Sequence, residues 1–327
     1  MAMKQKVKSG IKYFVLLLVA AIIGVLSYVS FALPDVGEPE DIKVEITPKR
    51  VERGFYLANS VANCTDCHSE RDWNKFTGPL VEGTLGKGGH EFNQKSGFPG
   101  KFYAKNITPF ALKNWTDGEI LRAVTAGVNK NGKALFPVMP HPSFGKLDRE
   151  DIYSIIAYLR TLNPLENVVP ESEPDFPMNF IINTIPQKPS FTKIPDPSNQ
   201  VAYGAYLFSA ASCSECHTKK VKGTPVAGME LAGGFEFPMP HGGTARSTNI
   251  TPDMETGIGS WSEEAFLQRF KVYSDSAYKP VDVKDGEFNT MMPWTSFSTM
   301  KTEDLKAIYA YLRTVKPIKN QVTKFSR

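Results

Sequence analysis

Two patterns of apolar positions organise the chain. The first is an uncharged run from Tyr13 to Leu33, YFVLLLVAAIIGVLSYVSFAL. At about 1.5 Å per helical residue it is long enough for a hydrocarbon layer of about 30 Å. It predicts a transmembrane anchor over 13–33 behind a basic N-terminus, 1–12. Lys4, Lys6, Lys8 and Lys12 precede the run, so this end is expected to stay cytoplasmic while the rest is exported. Ser30-Phe31-Ala32 could pass for a cleavage site. The apolar region of a cleaved signal spans only about 7–15 residues, however, which favours a retained anchor.

The second pattern has helical period. Ile152, Ile155, Ile156 and Leu159 fall at i, i+3, i+4 and i+7, and Leu305, Ile308, Tyr309 and Leu312 repeat the stripe. Asp148 and Thr302 are the expected caps of these two helices. Asn163-Pro164 and Lys316-Pro317 end them, because proline disfavours helix in the residue before it. Thr116 and Glu119 form a capping box that opens DGEILRAVTAG. Ser262, followed by Glu263 and Glu264, opens EEAFLQRFKVY, with the acids at the positive helix N-terminus. No segment reads as rich in strands.

The chain repeats itself. GFYLANSVANCTDCH from Gly54 matches GAYLFSAASCSECH from Gly204, with one residue fewer in the second copy. Pro79 and Pro225 follow the two pentads. NITP occurs at Asn106 and Asn249. VMPHPSF from Val138 aligns with MMPWTSF from Met291, and DREDIYSIIAYLRTLNP from Asp148 aligns with KTEDLKAIYAYLRTVKP from Lys301. The order is the same in both halves, the signature of a duplicated domain. The expected organisation is a stalk over 34–50, a first helical domain over 51–163, an extended linker over 164–200 with eight prolines, a second helical domain over 201–318 and a tail over 319–327.

Charge adds little. The chain has 38 basic and 34 acidic residues; setting aside the four N-terminal lysines leaves 34 of each sign. Nothing suggests nucleic acid, which needs a concentrated basic face.

The four cysteines change the picture. All lie in CTDCH (Cys64, Cys67) and CSECH (Cys213, Cys216), and a histidine, His68 or His217, ends each pentad. A zinc site wants two such pairs about 15–20 residues apart, whereas these lie 149 residues apart. A thioredoxin-like dithiol wants a strand–helix–strand setting. Simple disulfides leave the histidines unexplained. Cys-x-x-Cys-His accounts for all three side chains: two thiols add across the haem vinyl groups and the histidine reaches iron as a neutral imidazole. The expectation is two covalently bound haem c groups.

Iron held by one histidine takes a second axial ligand or keeps an open position. Met139 and Met292 each precede proline, in register between the repeats, 71 and 75 residues after their histidines. A thioether favours the reduced iron and raises its potential. Met139 and Met292 are therefore the expected sixth ligands. Met291 adjoins Met292 but lacks the repeat match, Met239 has no counterpart in the first copy, and His90, His141 and His241 read as polar loop residues. The second ring nitrogen of His68 and of His217 needs an acceptor; the carbonyls of Pro79 and Pro225 are the candidates.

These residues resemble the class I cytochrome c family. The pairing of Gly54 and Tyr56 with Tyr158 and Leu159, and of Gly204 and Tyr206 with Tyr311 and Leu312, looks like that family's crossed first and last helices. The resemblance implies an all-α fold of two tandem class I cytochrome c domains joined by the proline-rich linker behind an N-terminal transmembrane helix. NITPDMETGIGSWSEEAF from Asn249 is similar to the cytochrome subunits of membrane-bound alcohol, aldehyde and nicotinate-type dehydrogenases. Such subunits typically carry three haems, and the first copy here follows NITP with Phe110 instead of the acidic turn.

The resemblance implies a non-catalytic carrier of single electrons in a bacterial inner membrane, single-pass, with its haem domains on the periplasmic side. The implied redox partners are a dehydrogenase, a quinol-oxidising complex or a terminal oxidase. The alternative, a dihaem peroxidase-like or other haem oxidoreductase, requires one haem with an open or displaceable ligand position.

Overall fold

The computed structural model describes residues 2–327, with side chains from Lys8 onward. Met1 and the side chains of Lys4 and Lys6, two of the lysines expected to orient the anchor, lie outside the described residues. A helix runs over Ala2–Phe31, and its Lys8–Phe31 stretch contains an 18-residue window of mean hydropathy 2.6, no part of which is buried against the rest of the chain. It is long and apolar enough to cross a membrane. The helix stops at Phe31, two residues before the apolar run ends.

In each half a first helix crosses a closing helix. The first pair is Pro48–Tyr56 with Arg149–Thr161, and the second is Gln200–Ala210 with Thr302–Leu312. The opening helix starts at Pro48, earlier than the expected boundary at 51. Thr47 accepts a hydrogen bond from Arg50 N, and Pro48 takes the first helical position, where its missing N–H costs nothing. Both crossings are backbone against backbone. A Cβ on Gly54 would stand 1.9 Å from the carbonyl oxygen of Ser154, and one on Gly204 would stand 1.8 Å from that of Ala307. No side chain fits there.

The apolar stripes bury as expected: Ile152, Ile155, Ile156 and Leu159 in one half, Leu305, Ile308 and Leu312 in the other, all in one continuous core. Tyr309 is half-buried and donates its hydroxyl to Trp261 O. The capping box at Thr116 and the cap at Ser262 are both formed. The expected cap at Thr302 is not. Lys301 occupies the cap position without a side-chain bond, and its N–H donates to the hydroxyl of Tyr56 instead.

The extra residue of the first copy is absorbed by a turn of π-helix over Leu57–Val61, closed by Ala62 N donating to Leu57 O. In the second copy Ala211 N donates to Leu207 O, an ordinary α-helical spacing. One inserted residue thus shifts the hydrogen bond from i−4 to i−5 and leaves the pentad beyond it in place.

The expectation of a purely α fold is corrected. Three small antiparallel sheets occur: Glu91–Phe92, Gly100–Tyr103 and Glu173–Pro174; Lys220–Val221 with Thr224–Pro225; and Glu236–Pro238, Thr244–Arg246 and Phe325–Ser326. Their strands have two to four residues, too short to give an alternating signal. Residues 164–200 also differ from a plain extended linker. Glu173–Pro174 adds a strand, Met178–Ile181 forms a helical turn, and Asn183 Nδ2 donates to Val29 O at the end of the apolar helix. The segment 319–327 is tied down by the strand Phe325–Ser326.

The halves join reciprocally. Tyr56 OH donates to Asp304 Oδ2 at 2.5 Å, and Tyr206 OH donates to Asp151 Oδ2 at 2.6 Å. Each hydroxyl also accepts the N–H of the residue capping the other half's closing helix, Lys301 or Asp148, at 3.1 Å. The helices cross at Gly54 and Gly204 as expected, and the tyrosine hydroxyls beside those glycines bond across to the other half.

Replacing Gly204 by alanine is expected to force the second crossing apart and cost about 1–3 kcal/mol. Thermal unfolding followed by circular dichroism checks this, and an unchanged midpoint would contradict the close crossing.

Candidate functional site

Each pentad follows one residue in the left-handed region, Asn63 (φ 50°, ψ 37°) or Ser212 (φ 52°, ψ 33°). That residue ends the preceding helix and starts a new turn, Cys64–Cys67 or Cys213–His217. Residues three apart share a helix face, so the two thiols of each pentad point the same way.

All four thiols are free. Burial pushes Cys64, Cys67 and Cys213 up to about 12 and Cys216 up to about 11. Cys67 and Cys216 are nevertheless accessible to solvent, and Cys64 and Cys213 are half-buried. Cys67 is raised first by burial, then by Asp66, and to a smaller degree by Cys64 and Cys216. The second cysteines of the two pentads therefore lie within electrostatic reach of each other. Among the described residues no three His, Cys, Asp or Glu side chains gather as a metal cluster, so the thiols are not arranged for zinc.

The histidine acceptors differ from those expected. His68 Nδ1 lies 2.6 Å from Lys105 O, and His217 Nδ1 lies 2.8 Å from Thr248 O. A carbonyl cannot donate, so Nδ1 carries the proton and Nε2 keeps its lone pair. Burial holds both imidazoles below the usual histidine value, outweighing the opposing pull of the carbonyl. Both are neutral, as iron ligation needs. The carbonyl of Pro79 accepts from Asp72 N, and Pro225 sits in the Lys220–Pro225 hairpin, so neither serves.

Lys105 and Thr248 immediately precede the two NITP segments, and this recurrence was the available signal. Asn106 Oδ1 accepts Thr108 N and Oγ1; Asn249 Oδ1 accepts Thr251 N and Oγ1. The same amides donate to Leu165 O and Ile318 O, just past the closing helices. The turns are thereby fixed with the preceding carbonyl facing the imidazole. Gly88 and Gly233 complete each cradle. Each donates its N–H to the carbonyl of the pentad histidine, each has positive φ, and a Cβ on either would stand 2.5 Å from the backbone of that turn.

Met139 and Met292 are half-buried against the same core as Cys64 and Cys213. Each begins an inverse γ-turn: His141 N donates to Met139 O at 2.7 Å and Trp294 N to Met292 O at 2.8 Å, around Pro140 (φ −76°, ψ 53°) and Pro293 (φ −80°, ψ 66°). The proline fixes φ, so the methionine is presented the same way in both halves. Met291 adjoins the second turn without heading it. Met239 is buried and closes a hairpin turn through Gly243 O. His90 packs on Phe92, and His241 pairs with Asp285. His141 is buried with its ring against Gly127, and burial lowers it to about 4.

The donor set fits haem c: paired thiols on one helix face, a neutral imidazole with Nε2 unengaged by the carbonyl, and a thioether at a rigid turn.

Comparison with known proteins agrees. Residues 201–316 match the family model for cytochrome c, a domain that carries covalent haem c. The chain is 26% identical over 290 residues to the cytochrome c subunit of the quinone alcohol dehydrogenase of Gluconacetobacter polyoxogenes, covering 82% of this chain and 56% of that one. It is 27% identical over 279 residues to the fructose dehydrogenase cytochrome subunit of Gluconobacter japonicus, covering 81% and 52%. A diheme cytochrome c-type protein of Cereibacter sphaeroides is 28% identical over 233 residues, covering 67% and 73%. The chain spans about half the length of the dehydrogenase subunits it matches.

Asn249→Ala is expected to leave Thr251 N without its acceptor and Ile318 O with only the weaker bond from Thr251 Oγ1, and to cost about 2–4 kcal/mol. Urea unfolding measures it; a loss below about 0.5 kcal/mol would mean that the turn holds without the amide.

Proposed function

We propose that the protein is a membrane-anchored dihaem c-type cytochrome built from two tandem class I domains, one over 51–163 and one over 201–318, joined by the proline-rich segment 164–200. Cys64 and Cys67 tether one haem and Cys213 and Cys216 the other. His68 and Met139 are the axial ligands in the first domain, and His217 and Met292 in the second. The observation that carries this reading is the recurrence, in both halves, of a pentad whose neutral histidine donates Nδ1–H to the carbonyl preceding an Asn-Ile-Thr-Pro turn.

Each haem supplies a one-electron iron couple, which suits the protein to pass single electrons from a donor to an acceptor. The residues do the rest. The carbonyls of Lys105 and Thr248 hold the imidazole tautomer and orientation. The thioethers of Met139 and Met292 favour the reduced state and raise the potential. With both axial positions filled, neither site offers an open coordination position to a substrate, so the role is transfer rather than catalysis.

The helix Lys8–Phe31 serves as a single-pass anchor in a bacterial inner membrane and keeps both domains on the periplasmic side. By similarity to the dehydrogenase cytochrome subunits, the donor is a membrane-bound dehydrogenase, and a quinol-oxidising complex or a terminal oxidase belongs to the same electron path.

Haem determination against protein mass is expected to give two per chain, falling to one when Cys64 and Cys67 are both replaced by serine. Met139→Ala and Met292→Ala are each expected to convert one haem from low to high spin, leaving the other unchanged. One haem per wild-type chain would overturn the dihaem reading. A high-spin haem in the wild type would favour the peroxidase-like alternative.

A further inference from the structure

The two methionine turns, alike in backbone, are held differently. Around Met139 the only bond within the turn is His141 N to Met139 O. The Met292 turn is gripped from outside, by the other half of the chain. Thr77 Oγ1 donates to Met292 O at 2.6 Å and accepts from Trp294 N at 3.2 Å. Thr77 N donates to Asn289 Oδ1, and Asn289 Nδ2 donates to the carbonyls of Trp73 and Lys75. Phe76 N donates to Val281 O and Val283 N to Asn74 O. The segment 73–77 thus lies against 281–294 along its length.

Thr77 is itself a conformational outlier. It is fully buried and has φ 64°, a left-handed backbone that β-branched residues rarely adopt. Its contacts must over-determine that strained state for it to persist. The strain points the hydroxyl at a single peptide carbonyl, that of Met292.

The segment is also wired to the first pentad. Asp66, between Cys64 and Cys67, pairs with Arg71 Nη1 at 2.8 Å, and both side chains are buried. Arg71 Nη2 donates to Thr77 O at 2.5 Å and Nε to Gly78 O at 2.7 Å, with the guanidinium over the Trp73 ring. Asp66 Oδ1 accepts from Ser296 Oγ, two residues beyond Trp294. A connected path therefore runs from the first haem-attachment turn through Arg71 and Thr77 to the second methionine. In the second half the stretch after the pentad is the short hairpin Lys220–Pro225, on which Thr224 is exposed.

We infer that Thr77 is a positioning residue for the iron ligand Met292, so that the first half of the chain sets the axial ligation of the second haem while the first haem's methionine is held locally. This rests on the proposed ligand role of Met292.

The test uses the full-length, haem-loaded protein, with two readouts: the thioether-to-ferric-iron charge-transfer absorption and the two midpoint potentials from a redox titration. Thr77→Val removes the hydroxyl at nearly constant shape. It is expected to lose up to half of the absorption and to lower one potential while leaving the other in place. Thr77→Ser keeps the hydroxyl and is expected to restore both readouts, and Thr224→Val is expected to change neither. Thr77→Gly relieves the left-handed strain, so it folds even where valine does not, and it is expected to reproduce the potential change.

Met292→Ala in the same assay separates the two ideas. If it removes half of the absorption while Thr77→Val and Thr77→Gly alter nothing, the ligand stands and the positioning role is overturned. If Met292→Ala leaves the absorption whole, the ligand assignment itself fails. Equal shifts of both potentials in the Thr77 variants would also overturn the inference, because they mark a general loosening.

Discussion

The crossing of first and closing helices through Gly54 and Gly204 is the constraint on which the rest of each half depends. With a carbonyl oxygen occupying the place of a Cβ, the two helices have one depth of approach and almost no freedom to slide. The C-terminal end of the first helix leads directly into the pentad. The C-terminal end of the closing helix leads to Leu165 or Ile318, whose backbone is bonded to the Asn-Ile-Thr-Pro turn. That turn places the carbonyl on the histidine. Both ends of the imidazole's setting, the residue that carries it and the acceptor that orients it, thus descend from one helix contact. Imidazole orientation is a property of the fold and does not have to be selected by the pentad alone.

The same closing helices couple the halves. Their N-terminal carboxylates, Asp151 and Asp304, are buried and would be costly without partners. Each receives a tyrosine hydroxyl from the first helix of the other half. The hydroxyl simultaneously accepts a cap N–H, so it both donates and accepts at the junction. Burial and the neighbouring carboxylate both raise Tyr56 and Tyr206 above the usual phenol value, which keeps each hydroxyl proton available as the donor. The arrangement is reciprocal because the sequences are, and it adds polar bonds to a hydrophobic core that runs through both halves.

Local periodicity made the large helices legible. The stripe at Ile152 and the stripe at Leu305 bury as spaced, and the capping box at Thr116 forms as its residues predict. The pentads and the two Met-Pro dipeptides could be located because they recur in register. Three things were not legible. The histidine acceptors lie 37 and 31 positions from their rings and use backbone oxygen, which no residue type marks; only the NITP repeat hinted at them. The strands are too short for alternation to exceed chance. Tyr56 and Tyr206 carry the same spacing whether they pack on their own closing helix or reach across, and only the assembled pair of halves decides between the two.

If the proposed ligands are identical in both domains, any difference between the haems must come from what surrounds those ligands. The structure is asymmetric there. Beside the first pentad, Asp66 and Arg71 form an ion pair with both side chains only 6% exposed, at the junction of the halves. Beside the second, Glu215 and Lys220 form the corresponding pair at 45% and 19% exposure. An exposed pair is screened by water and salt and influences its neighbourhood weakly. A buried pair is screened far less, and its desolvation is recovered only through good geometry and further hydrogen bonds. Arg71 has those bonds, to Thr77 O and Gly78 O. The two pentads are alike in sequence, but one sits in a buried polar network that reaches the other half of the chain and the other sits near solvent. On the dihaem reading proposed above, equal ligands in such unequal surroundings are expected to give the two centres different potentials.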